Sequence, residues 1–168
     1  ALAVFAALKL SGRDLPPWRM VFAGDEGPRT EYVAELKELL SRHHLNDKVS
    51  LVGHCSDMPA ALALADIVIA PSQQAEAFGR VAAEAGAMGR PVIVSDLGAQ
   101  PEVVLHEQTG LVIAPRDAAG LADALERLIR SPEERARLGL AAQARVRQRY
   151  TVTALQTATL AVYERLLE

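Results

Sequence analysis

The 168-residue sequence has a single cysteine, Cys55, so it can build no internal disulfide framework and suits a reducing compartment. Aromatic residues make up only 4% of it. No apolar run approaches the roughly 18 residues that a membrane-spanning helix needs. Neither sign of charge is in large excess: the formal net charge is −3, which gives no broad electrostatic grip on nucleic acid, and no nucleic-acid partner is expected. The four histidines, His43, His44, His54 and His106, are scattered and share no metal-ligand spacing with Cys55, so no metal is expected. The glycine-rich stretch Gly24-Asp25-Glu26-Gly27 lacks both Gly-x-Gly-x-x-Gly and a Walker lysine. It reads as a loose strand-to-helix loop or as a loop edging a nucleotide. The opening Ala1 to Leu10 lacks the basic start and cleavage pattern of a signal peptide. It also begins on alanine in mid-pattern, as expected of a boundary inside a larger protein.

What is present is ordinary in bulk and informative in order. Half the residues are apolar and 23% are charged, enough for one domain that buries about two-thirds of its unfolded surface. Apolar segments alternate in kind along the chain. Ala1 to Leu10 reads as the end of a helix with Leu2, Phe5, Leu8 and Ala6 inward, and Thr30 to His43 as an amphipathic helix capped by Thr30 with Tyr32, Leu36, Leu39 and Leu40 inward. Short apolar strands are expected at 19–23, 48–53, 67–70, 91–94 and 110–113. Helices are expected between them at 56–65, 78–88 and 101–105, and after them at 118–130, 132–150 and 152–167. Strands alternating with helices imply βαβ units with right-handed crossovers. The fold class is α/β: a doubly wound, Rossmann-like parallel sheet, whose ligands bind beyond the carboxyl ends of the strands.

The stretch from Pro71 to Val104 carries the chemistry. Glu76 and Glu84 bracket Phe78-Gly79-Arg80, which open a helix. A carboxylate just outside a strand's carboxyl end accepts hydrogen bonds from sugar hydroxyls. A helix start, with free N–H groups and the positive end of its dipole, suits a diphosphate, and Gly79 lets the phosphates approach the backbone. Glu84, further along the helix, would meet a ribose diol. The bland readings are a helix cap and a solvated face for the two glutamates, a tight turn for Gly79, and an exposed helical arginine for Arg80. Glu102 after Pro101 has a dipole reason to begin a helix. Arg127, Arg130, Arg135, Arg137, Arg145, Arg147 and Arg149 crowd the closing helices as a solvated face, with a membrane-facing patch as the alternative.

These motifs resemble the glycosyl transferase group 1 family, glycosyltransferase family 4, of the two-domain GT-B fold. The matching elements are Pro71-Ser72, the Glu76–Glu84 bracket around Phe78-Gly79, Ala87 to Ile93, Glu102 to Val104, Thr109 to Val112 and Pro115 to Asp117. Upstream, the strands ending in Gly24 and Gly53 resemble two of the family's glycine-terminated strands. The resemblance implies that residues 1–168 form the single C-terminal, nucleotide-sugar-binding domain, without the first strand of that domain and without the N-terminal acceptor-binding domain. It implies a retaining transfer of a hexose from a nucleoside-diphosphate sugar to a glycan or lipid-linked acceptor, without a cofactor or metal. The enzyme would be cytoplasmic, with peripheral contact at the inner face of a membrane as a variant.

By the same resemblance Glu76 would be the catalytic residue and would contact the donor sugar. Ala77, Phe78, Gly79, Arg80 and Val81 would hold the diphosphate or the sugar near it, Glu84 the ribose, and Gly24, Gly53 and His54 would lie by the base. Asp96 to Gly98 would wall the site. Two departures stand out: Gly98-Ala99 replaces a usual glycine pair, and the loop from Pro71-Ser72 to Glu76 is one residue longer than its commonest form. Other readings are a different GT-B enzyme, such as a sugar-nucleotide epimerase or a glycogen- or starch-type synthase, and a non-catalytic Rossmann-like binding domain. Residues 1–168 in isolation are expected to bind donor weakly and to transfer no sugar, which a radiolabelled-donor transfer assay checks; measurable turnover would contradict it.

Overall fold

A computed structural model of the chain describes residues 1–24 and 30–167, with Thr30 described by its backbone alone. The cap expected at Thr30 and the Asp25–Gly27 part of the glycine-rich loop therefore lie outside the described residues. In chain order the elements are α1 (Leu2–Ser11), β1 (Met20–Ala23), α2 (Thr30–Arg42), β2 (Val49–Gly53), α3 (Met58–Leu64), β3 (Val68–Ala70), α4 (Arg80–Ala87), β4 (Val92–Ser95), α5 (Gln100–Val103), β5 (Gly110–Ile113), α6 (Ala118–Arg130), α7 (Pro132–Arg149) and α8 (Val152–Leu167). Three helix starts follow the chemistry of their cap residues. Asp57 accepts from the Ala60 N–H at 3.0 Å, Asp117 from Gly120 at 2.8 Å, and Ser131, ahead of Pro132, from Glu134 at 3.2 Å.

All strand pairs are parallel. They fall into two sheets, β1–β2 and β3–β4–β5, where the sequence suggests one. The helices nevertheless wind doubly. Buried residues of α1, α2 and α6 share one core with Met20, Val49, Ile93 and Leu111, while α3, α4 and α5 share a second with Val68, Val92 and Val94. With right-handed crossovers this arrangement places β1, not β2, on the side facing β3. No ladder joins β1 to β3 among the described residues, and that is why the sheet divides there.

β4 is central, with all four residues buried and its side chains alternating between the two cores. α1 turns a different face inward than its larger side chains suggest. Phe5 is 40% exposed, while Val4, Ala6, Ala7 and Leu10 are completely buried. The small residues let α1 lie close against α6, where Leu121, Ala122 and Leu125 meet it. Tyr32 of α2 is likewise exposed, and Leu36 and Leu40 carry that contact. Arg13, after α1, ties itself to α6 by ion pairs to Asp123 at 2.7 Å and Glu126 at 2.5 Å. The Glu126 carboxyl is held below the usual carboxylate range, first by Arg130 and then by Arg13.

The crowded arginines divide, contrary to a uniformly solvated face. Arg127 bridges Glu107 and Glu134, Arg135 donates to the carbonyls of Leu128 and Ile129, and Arg145 donates to those of Glu102 and Val103. No helix among the described residues is long and apolar enough to cross a membrane. α8 buries none of its described residues.

α7 packs through Gly139 against the turn that follows α4. A Cβ on Gly139 would run into the carbonyl of Gly89, with the carbonyl carbon at 2.9 Å. Because that obstacle is backbone, Gly139→Ala should destabilise the fold by about 1–3 kcal/mol. A thermal melt checks this, and an unchanged Tm would show that α7 and the turn at Gly89 are not in such close contact.

Candidate functional site

Parallel strands end on a common edge, and the residues singled out from the sequence gather there. At one end of the edge, Gly24 donates its N–H to the carbonyl of Gly53 at 2.8 Å, and Gly53 takes a φ of +70° that favours glycine. His54 follows it and is exposed. Beyond β3, β4 and β5 lie the loop carrying Glu76, the turn Asp96–Ala99, and a cavity of about 570 Å³ lined by Asp96, Pro101, Val104 and Ala114 among others. A smaller hollow lined by Arg13, Trp18, Arg19 and Lys48 lies at the opposite, amino-terminal edge and contains none of the expected site residues.

Glu76 is the most constrained of these residues. Its carbonyl accepts the Ala99 N–H at 3.0 Å. A Cβ on Gly98 would sit 2.6 Å from the Glu76 carbonyl oxygen and 2.7 Å from its nitrogen, so the turn after β4 lies directly on the backbone of this glutamate. The carboxylate is held as well: its Oε1 accepts from the Ser72 hydroxyl and, at 3.2 Å, from the side-chain Nε2 of Gln100. No donor among the described residues reaches Oε2. Glu76 itself is half-buried, so one carboxylate oxygen is fixed to the protein and the other is free to accept.

The helix that follows begins later than periodicity suggests. α4 starts at Arg80, because Gly79 adopts a left-handed φ of +79° and serves as N-cap, leaving Phe78 in the loop. The Gly79 carbonyl accepts the N–H groups of Ala82 and Ala83. Those of Arg80 and Val81 have no acceptor among the described residues, as expected of a first turn. Arg80 and Glu84 form an i, i+4 ion pair at 3.5 Å, with side chains 84% and 44% exposed. Such a pair is worth only about 0.3–0.5 kcal/mol, so it does not lock Glu84 away from a ligand. Ala77 and Val81 are exposed beside them. The Phe78 ring meets Tyr150 edge to face at 5.6 Å, and the Tyr150 hydroxyl donates to the Glu102 carbonyl at 2.9 Å.

Two participants escape a reading of the sequence alone. Gln100 is completely buried, and Tyr150 lies 72 residues downstream of the Phe78 ring it meets. The signal for Gln100 is its spacing: with Val103 and Val104 it falls on the inward face of a turn, and a polar residue facing a core requires partners. Among the described residues, no three His, Cys, Asp or Glu side chains come together as a metal site.

A family model described as glycosyl transferases group 1 matches residues 1–145. The chain belongs to this family. It is 34% identical over 160 residues to a glycogen synthase of Mycobacterium tuberculosis, covering 94% of the chain and 37% of that protein. It is 34% identical over 158 residues to the lipopolysaccharide core biosynthesis mannosyltransferase LpsB of Rhizobium meliloti, covering 90% of the chain and 44% of that protein. Among solved structures, Anabaena HepE in complex with UDP-glucose superposes with a TM-score of 0.86 at 28% identity, over 96% of the chain and 44% of HepE. The chain thus spans 37% to 44% of the length of these relatives. Its α/β architecture of parallel strands and covering helices is that of the C-terminal domain of GT-B glycosyltransferases.

The Gly98-Ala99 departure from a glycine pair proves harmless. Ala99 has a right-handed φ of −82°, whereas Gly98 alone has a positive φ, +61°. Gly98→Ala should therefore lower Tm by several degrees through backbone strain and collision with Glu76, a cost of about 1–3 kcal/mol. Ala99→Gly should leave Tm within a degree or two, costing only about 0.5–1 kcal/mol. Paired melts of the two variants check this; equal effects would contradict the division of roles.

Proposed function

We propose that this chain is the donor-binding half of a retaining glycosyltransferase that moves a hexose from a nucleoside-diphosphate sugar to a glycan or lipid-linked acceptor. The observation that carries the proposal is the half-anchored carboxylate of Glu76, set four residues before a helix start with unsatisfied N–H groups. An acceptor oxygen fits sugar hydroxyls, and the N–H groups of Phe78 to Val81 with the helix dipole fit a diphosphate. Glu84, lightly paired and partly exposed, fits a ribose diol, while Gly24, Gly53 and His54 border the base. HepE, of similar fold, is described with UDP-glucose bound, which supports a nucleotide-sugar donor here.

In this reading Glu76 is the catalytic residue, because it touches the sugar whose anomeric bond breaks. The helix start stabilises negative charge as the nucleoside diphosphate departs, so the transfer asks for no metal. The acceptor-binding domain and the cations that complete the diphosphate grip belong to other parts of a two-domain, cytoplasmic enzyme. A glucan-elongating synthase is the second reading, favoured by the similarity to the glycogen synthase; transfer to glycogen against lipid-linked saccharide separates the two.

Calorimetry with UDP, GDP and their glucose and mannose conjugates tests the donor site. Glu76→Ala should weaken the sugar-bearing ligand about 10- to 100-fold, the loss of a hydrogen bond to a charged group, and leave the free nucleoside diphosphate within about twofold. Glu84→Ala should weaken both ligands alike. Equal weakening of both by Glu76→Ala would remove the sugar contact from the account.

A further inference from the structure

We propose that Gln100 and Ser72 are positioning residues for the donor sugar, holding one oxygen of the Glu76 carboxylate so that the other is presented to sugar hydroxyls. This rests on the reading that Glu76 receives those hydroxyls. The first support is the burial of Gln100: a completely buried amide must have its hydrogen bonds met. Its orientation is fixed by chemistry. The Ser95 backbone N–H, at 3.0 Å, can only donate, so the amide atom facing it is the oxygen, Oε1. The amide nitrogen is thereby turned toward the loop after β3, where it donates to the Ser72 hydroxyl oxygen and to Glu76 Oε1, each at 3.2 Å.

The second support is convergence. The Ser72 hydroxyl has one proton and gives it to Glu76 Oε1, while its oxygen accepts from Gln100. Both donors therefore fall on the same carboxylate oxygen, and none among the described residues falls on the other. A carboxylate held this way cannot swing to satisfy itself elsewhere and can only accept, which matches hydroxyl donors and rejects acceptor-only groups.

The third support is the rigidity of the platform. Gln100 opens α5, whose last carbonyls, those of Glu102 and Val103, are taken by Arg145 at 2.6 and 3.0 Å, and whose Glu102 carbonyl also accepts from Tyr150. Gly79 lies over the Gln100 side chain, so that an added Cβ would be 3.4 Å from its Cγ. The same side chain thus underlies both the Glu76 carboxylate, through its amide, and the start of α4, through its Cγ.

The test is a double-mutant cycle in the protein, read as the ratio of affinities for UDP-glucose and UDP, or for GDP-mannose and GDP where guanine nucleotides bind better. Gln100→Ala should lower that ratio about fivefold or more, and the Glu76→Ala/Gln100→Ala pair should be no worse than Glu76→Ala alone, because residues acting through one group are not additive. Ser72→Ala should behave in the same way, and decides the matter if Gln100→Ala does not fold. Losses that fall equally on nucleotide and nucleotide sugar, that add to those of Glu76→Ala, or that do not occur would overturn the positioning role. A ratio unmoved by Glu76→Ala itself would instead overturn the donor site.

Discussion

A carboxylate that is to grip a sugar must be kept from gripping its own protein, yet must not be left free to rotate. In the proposed donor site the two demands are met at Glu76 by unequal treatment of its oxygens, with Oε1 tied to Ser72 and Gln100 and Oε2 left without a donor among the described residues. The tie depends on the buried amide of Gln100, which the backbone of Ser95 at the end of β4 orients. β4 is the strand whose residues are all buried, so a fully packed part of the sheet sets the position of the Glu76 carboxylate. Glycine permits the close approach: Gly98 lets the turn after β4 rest on the Glu76 backbone, and Gly79 lets the next helix begin directly above Gln100.

The doubly wound layout explains why these parts meet at all. Parallel strands deliver every strand-to-helix loop to one edge, and the change of winding direction opens a crevice there. Neither Glu76 nor Gln100 stands alone in this arrangement. α7 holds α5 through Arg145, and Tyr150 at its end touches both α5 and the Phe78 ring. The closing helices thus brace the loop from below, a use of their arginines that charge counting does not reveal.

Much of this was legible in the order of residues. The alternation of apolar runs and amphipathic stretches predicts each of the thirteen elements among the described residues to within about two residues, because strand and helix periods differ. The family is recognised by resemblance, through the Glu76–Glu84 bracket around Phe78-Gly79 and the motifs that flank it. What was not legible depends on distance through space. The inward face of α1 is chosen by small residues that allow close packing against α6, so Phe5 turns outward against its hydrophobicity. The late start of α4 is set by the left-handed turn at Gly79, which periodicity cannot see. The division of the sheet depends on edges that pairing alone reveals. The clasp on Glu76 joins residues up to 28 positions apart in sequence, and only the inward spacing of Gln100 hints at it.

A crystal structure of the protein with an intact nucleoside-diphosphate sugar measures the central claim directly. The account requires a hydroxyl of the sugar within about 3 Å of Glu76 Oε2, with Oε1 still on Ser72 and Gln100 and the diphosphate at the amides that open α4. A donor bound elsewhere on the domain, or a Glu76 carboxylate swung away with both oxygens occupied by protein, would contradict it.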